Sequence, residues 1–334
     1  MKRLAPRVCW IVVCVLAVAI AASAGSVAPA AAPSPAATQP TSVSLGDLHP
    51  FLYANAAEYV IGEPVFLHLV LANWSQTAKF AVQGSLHPAN NLEINVARSR
   101  ELPIRYYGGG NREKLYPGIT FQVPPRQLGI LRTPLCYEPD HGSGFLFDQT
   151  GVYTISVQAR LRVNDAERVL TLPPIQITVK EPTASQAKVL ELVMRPENAE
   201  DLQNLEAQDA TADLWQQVAD QFPDSLWAPY ARLLLAERLL EASTAADFGA
   251  LFQQLEAALR TYPRFPLRSD LYYCCARCQD RLGRPVEVLR WLYRLQREFP
   301  VGFYAQANTR MYRKYVTRVE TPAQVYSPWY LTEY

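Results

Sequence analysis

Residues 151–161 read GVYTISVQARL. Tyr153, Ile155, Val157, Ala159 and Leu161 fall on one face. Thr154, Ser156, Gln158 and Arg160 fall on the other. A strict period of two over eleven residues predicts a long strand with one buried face. Asn164-Asp165 turns the chain, and residues 168–179 return it as a partner strand.

Working outward on the N-terminal side, residues 65–72 read VFLHLVLA. Val65, Leu67, Leu69 and Leu71 share one face. Phe66, His68, Val70 and Ala72 share the other. Asn73-Trp74-Ser75-Gln76 supplies a turn, and the glycosylation pattern Asn73-Trp74-Ser75 is read as that turn alone. Lys79 to Val82, Leu92 to Val96, Pro103 to Tyr106, Ile119 to Val123 and Leu128 to Leu131 are further short strands. Gly108-Gly109-Gly110 and Pro124-Pro125 separate them. Many short strands with turn signals between them predict an antiparallel β fold over residues 43–180.

Asp148-Gln149-Thr150-Gly151-Val152-Tyr153 resembles the Asp-x-x-Gly-x-Tyr corner of immunoglobulin-like domains. The resemblance implies an immunoglobulin-like β-sandwich in which Gly151 permits a tight corner and the Tyr153 hydroxyl bonds to backbone upstream. It departs from antibody domains at Ile155, where they carry cysteine, and no cysteine stands near Leu69. It therefore implies no inter-sheet disulfide. The stretch from Gly62 to Ser75 also resembles sandwiches of the bacterial envelope, which act as recognition or spacer modules.

After Pro182 the apolar spacing becomes helical. Phe222-Pro223, Tyr262-Pro263 and Phe299-Pro300 each close an amphipathic run, 40 and 37 residues apart. Ala236 and Ala276 lie 13 residues past Pro223 and Pro263 respectively. Paired helices repeating at this period predict a helical solenoid over residues 185–320, with a plain bundle as the rival reading. Residues 271–300 resemble a tetratricopeptide unit. Tyr272, Cys275 and Ala276 take its first-helix positions, Leu282-Gly283 its turn, and Val288, Leu292 and Leu295 its second helix. Gln279 and Val288 depart from the pattern, where an aromatic residue and alanine are usual. The resemblance implies a concave face that carries Tyr273, Arg277 and Asp280 and binds a segment of a protein.

The N-terminus carries Lys2, Arg3 and Arg7 before an apolar run at residues 8–22, and Ala22-Ser23-Ala24 has the small-x-small form of a cleavage site. This predicts a signal peptide over residues 1–24 and an exported, periplasmic or secreted protein. An uncleaved anchor is the rival reading and the sole route to a membrane role. Residues 25–42, rich in Ala, Pro, Ser and Thr, read as a tether. Residues 321–334, with Tyr326, Trp329, Tyr330 and Tyr334, form an aromatic tail expected to pack.

The chain has 334 residues and a net charge of +1, with 32 basic against 31 acidic side chains. Such a balance provides no long-range field for a polyanion, so no nucleic-acid partner is expected. Beyond the apolar run stand four cysteines, Cys136, Cys274, Cys275 and Cys278, and four histidines in all, His49, His68, His87 and His141. Cys275-Ala-Arg-Cys278 has a C-x-x-C form inside a helical repeat, where a redox motif does not sit, and no histidine follows His141 to complete a zinc site. The four thiols read as buried apolar residues or as disulfide partners, Cys136 bridging to the later cluster. No cofactor is expected. The function expected is a non-enzymatic binding or scaffold protein of the cell envelope. Its alternative is an envelope enzyme or thiol-redox protein using Cys136 with His141, or Cys275 with Cys278. A protease-inhibiting loop at residues 108–117 is a third reading.

Overall fold

The computed structural model describes residues 14–17, 46–84, 88, 90–99, 101–108, 119–139, 142–241, 247–299, 304, 311 and 315. Among these residues a four-stranded sheet has β1 (Cys14–Ala17), β9 (Gln127–Leu135), β4 (Val65–Asn73) and β2 (Leu48–Ala54) side by side in that order, all antiparallel. A seven-stranded sheet runs β3 (Glu58–Val60), β11 (Ala166–Lys180), β10 (Gly151–Val163), β5 (Phe80–Gly84) and β8 (Ile119–Val123). In the same sheet β6 (Leu92–Arg98) pairs with the first half of β10, and β7 (Ile104–Tyr106) pairs with β6. Seven helices follow: α1 (Ala184–Val193), α2 (Pro196–Asn204), α3 (Ala212–Gln221), α4 (Trp227–Glu241), α5 (Phe248–Thr261), α6 (Arg268–Arg281) and α7 (Pro285–Glu298).

The strand at 151–161 forms as its alternation requires, and the β10–β11 turn is tight because Asn164 and Asp165 both take positive φ, 48° and 64°. Pro173-Pro174 falls where the β10–β11 register slips between Ile155 and Val157. Two residues that cannot donate to a ladder thus occupy the one place where the ladder is interrupted. The Tyr153 hydroxyl donates to the Gln149 carbonyl at 2.9 Å, the bond that the corner motif implies.

The fold class differs from the expectation of an immunoglobulin-like antiparallel β-sandwich followed by a tetratricopeptide-like solenoid. The larger sheet is mixed, because β3 lies parallel to β11, Glu58 to Val60 against Thr178 to Lys180. The helices, in turn, do not follow as a separate array. All nine residues of β4 are buried. Val65, Leu67, Leu69 and Leu71 enter one core with Ile94, Tyr153 and Ile155 of the larger sheet. Phe66, with Cys136 and Phe145, enters a second core with Trp215, Tyr230 and Leu271 of the helices. The four-stranded sheet is therefore a middle layer, and the architecture is mixed α/β. Apolar side chains on both faces of a strand need a cover on each.

Helix ends do repeat. Phe222, Tyr262 and Phe299 close α3, α5 and α7 with nearly the same backbone angles, φ −116° to −130° and ψ 53° to 67°. The Tyr262 hydroxyl also donates to the Pro223 carbonyl. The helices do not form a free-standing array, because they share a core with Phe66, Cys136 and Phe145. Of the residues 1–24 expected as a signal peptide, the structure describes Cys14–Ala17, which pairs with Gln127–Ile130 as an edge strand of the sheet. The rest of residues 1–24, the tether at 25–42 and the aromatic tail at 321–334 lie outside the described residues. Among the described residues no helix is long and apolar enough to cross a membrane.

The turn between β3 and β4 fixes how closely α1 approaches. Gly62 has φ +76°, donates to the Phe147 carbonyl at 2.8 Å, and a Cβ there would lie 2.6 Å from Met194 Sδ and 2.9 Å from Leu190 Cδ1. Gly62→Ala combines a left-handed backbone with overpacking, so a loss of about 1–3 kcal/mol is expected by urea unfolding. Met194→Ala in the same chain should restore only the packing part. Unchanged stability of Gly62→Ala would contradict this packing.

Candidate functional site

Three polar side chains lie in a row across the middle sheet. Tyr53 on β2 is the register partner of His68 on β4, and His68 is the partner of Arg132 on β9. The alternation of β4 puts His68 on the face of Phe66, toward the helices. There the Tyr53 ring stacks on His68 at 4.6 Å. Arg132 Nη1 meets Asp270 Oδ1 of α6 at 2.6 Å, and Ser269 Oγ donates to Asp270 Oδ2 at 3.0 Å. The guanidinium also lies over the rings of Phe66 and Tyr304, 5.5 and 5.4 Å from their centres. Asp270 is 1% exposed and His68 3% exposed.

Burial decides the charges in this row. Desolvation, with the nearby Arg132 charge adding to it, pushes His68 down to about 3, so the ring is neutral. Neither of its nitrogens has a hydrogen-bond partner among the described residues. Such a group favours the folded state fully above its unfolded value of 6.5 and loses that contribution as pH falls toward 3. The Tyr53 hydroxyl is raised by desolvation, with Arg132 opposing. With the guanidinium and carboxylate already paired, the row is a clamp between sheet and helices rather than a reactive centre. At the other end of the same seam, Glu63 accepts the Tyr230 hydroxyl of α4 at 3.0 Å. Gln203 of α2 donates to the Pro134 carbonyl at 3.2 Å. Asn55 Nδ2 donates to the Pro266 carbonyl at 3.1 Å.

The residues expected on a concave face are distributed differently. Tyr273 stacks on Tyr304 at 4.3 Å. Arg277 bridges Glu237 at 2.5 Å and Glu241 at 2.6 Å, tying α6 to α4. Asp280 lies in the last turn of α6, where its carbonyl accepts the Gly283 N–H at 3.0 Å. Cys136, Cys274, Cys275 and Cys278 are buried and unbridged. Burial pushes the Cys136 and Cys278 thiols up to about 12 and the other two well above their ordinary value. The Cys274 thiol donates to Glu237 Oε1 at 3.1 Å. His141, the proposed partner of Cys136, and residues 109–117 of the third reading lie outside the described residues. No group of His, Cys, Asp and Glu among the described residues is arranged to hold a metal ion. Asn73 is 1% exposed and its amide nitrogen lies 2.8–2.9 Å from the carbonyls of Ala78, Val123 and Pro124, a turn anchor as read.

The open feature of the helical layer is on its outer side. Ala212, Ala219, Leu235, Leu239 and Leu251 line a groove of about 180 Å³ over α4, between α3 and α5. Asp213, Gln216, Arg232, Arg238 and Gln254 surround it. At about 100° per residue, Leu239 stands about half a turn round α4 from Tyr230. One face of the helix thus meets the sheet and the opposite face floors the groove. Reading the repeat as a solenoid directed attention to α6. The spacing of Arg232, Leu235 and Leu239 was the available signal for α4.

No family model matches this chain, and no curated protein matches it. Among solved structures, a β-glucosidase from Erythrobacter marinus aligns at 12% identity and TM-score 0.22, over 39% of this chain and 15% of its own. The sporulation control protein Spo0M from Bacillus subtilis aligns at 14% identity and TM-score 0.20, over 45% of this chain and 55% of its own. Both likenesses are too slight to bear on fold or function.

The clamp makes an asymmetric prediction. Asp270→Asn leaves Arg132 buried without its counter-charge and should cost about 3–5 kcal/mol. Arg132→Met with Asp270→Leu removes both charges and should cost much less than that. Denaturant unfolding of the two variants checks it, and equal losses would mean that the pair is not desolvated.

Proposed function

We propose that this is a non-catalytic binding protein that holds a segment of a protein partner in the groove between α3 and α5. The observation that carries the reading is the two-sidedness of α4, closed against the sheet on one side and open on the other. An apolar floor inside a rim of amides and charges is how protein interfaces are built, with a dry centre and a polar edge. The volume suits an apolar side chain or two, offered by an extended or helical segment. Leu235 and Leu239 would hold that anchor. Asp213, Gln216 and Gln254 would meet the polar groups flanking it. Arg238 is steadied by Asp209 at 3.0 Å and Arg232 by the Ala219 carbonyl at 3.2 Å, so both are oriented before a partner arrives. Preorganised side chains reduce the entropy lost on binding.

The thiol-based alternative has less support. A reactive cysteine needs thiolate at working pH and access to its substrate. Burial works against both in the four described thiols.

The test is a photo-crosslinking side chain at Gln216, followed by mass spectrometry, in the native chain and in Leu239→Arg. A partner captured by the native chain should fall at least about tenfold in the variant, the loss that about 1.4 kcal/mol produces. Its melting curve should stay unchanged. Equal recovery by both would remove the groove as the site.

A further inference from the structure

Two buried carboxyls cross the seam between the sheets and the helical layer, and they are treated differently. Asp270 meets a guanidinium. Glu63, 8% exposed in the β3–β4 turn, has no cation beside it among the described residues. Its Oε2 accepts the Val60 N–H at 3.0 Å and its Oε1 accepts the Tyr230 O–H at 3.0 Å. The ionisable groups around this contact are Tyr59 on β3 and Tyr230 on α4, with Cys136, just past β9, beyond Tyr230. All three are raised by burial and stay neutral at neutral pH. From α1 and the residue after it, the turn meets Leu190 and Met194, both apolar. Lys180 accepts the Ile61 N–H with its backbone and directs its side chain to Glu58 at the surface.

We propose that the Glu63–Tyr230 contact is a proton-controlled latch between the β3–β4 turn and α4, closed while the carboxyl holds its proton and loosened when it ionises. An ionised carboxylate here has two hydrogen bonds but no counter-charge among the described residues, in a site mostly closed to water, and buried charge is tolerated only when paired. Desolvation raises the carboxyl more than its two hydrogen bonds lower it, to about 7 from an unfolded value of 4.5. A raised acid contributes stability fully below the unfolded value and loses it as pH rises through the folded one. The latch is therefore firm at pH 4.5 and loosens through about pH 7. His68 in the same seam has the opposite sign, its contribution growing as pH rises to 6.5. The Arg132 guanidinium stays charged throughout, so the loosening lies at the Glu63 end of the seam. The latch stands independently of what the groove holds.

Hydrogen exchange read on peptides covering residues 58–63 and 227–234 at pH 5.5 and pH 8, corrected for intrinsic exchange rates, tests it in the full chain. Protection should fall at least about tenfold between the two pH values in the native chain. It should stay level in Glu63→Gln, which cannot ionise. Level protection in the native chain, or the same fall in Glu63→Gln, would overturn the latch. If Glu63→Gln does not fold, Tyr230→Phe removes one of the bonds that favour ionisation. The pH midpoint of loosening should then move upward, and a midpoint that stays in place would overturn the proposal.

Discussion

The rest of the molecule depends on β4 having no side toward water. Val65–Asn73 is buried along its whole length. One face meets the larger sheet, and Phe66 on the other joins the helical core. A strand of this kind is stable only with a cover on each side, because apolar surface removed from water is the main favourable term in folding. The helical layer is thus part of the β structure's own core. Its orientation is set by what β4 and its neighbour β9 present to it.

That presentation includes polar groups, and they account for the specificity of the seam. An apolar contact alone is non-directional, and helices could slide along it. Arg132 and Asp270, 138 residues apart in sequence, meet in one geometry only. A buried pair of this kind adds little net stability, yet a misaligned one is strongly unfavourable. His68 joins the same row as a neutral ring, and Glu63 joins the far end without a cation. The seam therefore combines a charge-paired contact with a carboxyl that has no counter-charge beside it among the described residues. Because α4 lies on this seam and also floors the outer groove, its two faces connect the fold's interior to the surface proposed to bind.

Much of the local structure was legible in the residues. The alternation at 151–161, the Asn164-Asp165 turn, the corner bond of Tyr153 and the aromatic-proline helix ends follow from short-range rules that a sequence displays. The layer order was present too, in residues 65–72, where both faces are apolar. A strand apolar on both faces requires a cover on each. The parallel β3 pairing could not be seen, since Glu58–Val60 is three residues long and its partner lies 120 residues away. The clamp and the Glu63–Tyr230 contact join residues remote in sequence, and neither has a local signature. Tyr273, Arg277 and Asp280 rest on analogy with a free solenoid, and in the structure Tyr273 stacks on Tyr304 while Arg277 ties α6 to α4.

The claim that sheet and helices share one core is tested most directly by ending the chain after Lys180 and following its unfolding by near-ultraviolet circular dichroism. Without the helices, Phe66, Cys136 and Phe145 lose the second core they enter. The fragment should then show no cooperative transition and should bind a hydrophobic dye. A fragment that unfolds cooperatively, with the midpoint of the full chain, would contradict the account and make the helices an appended unit.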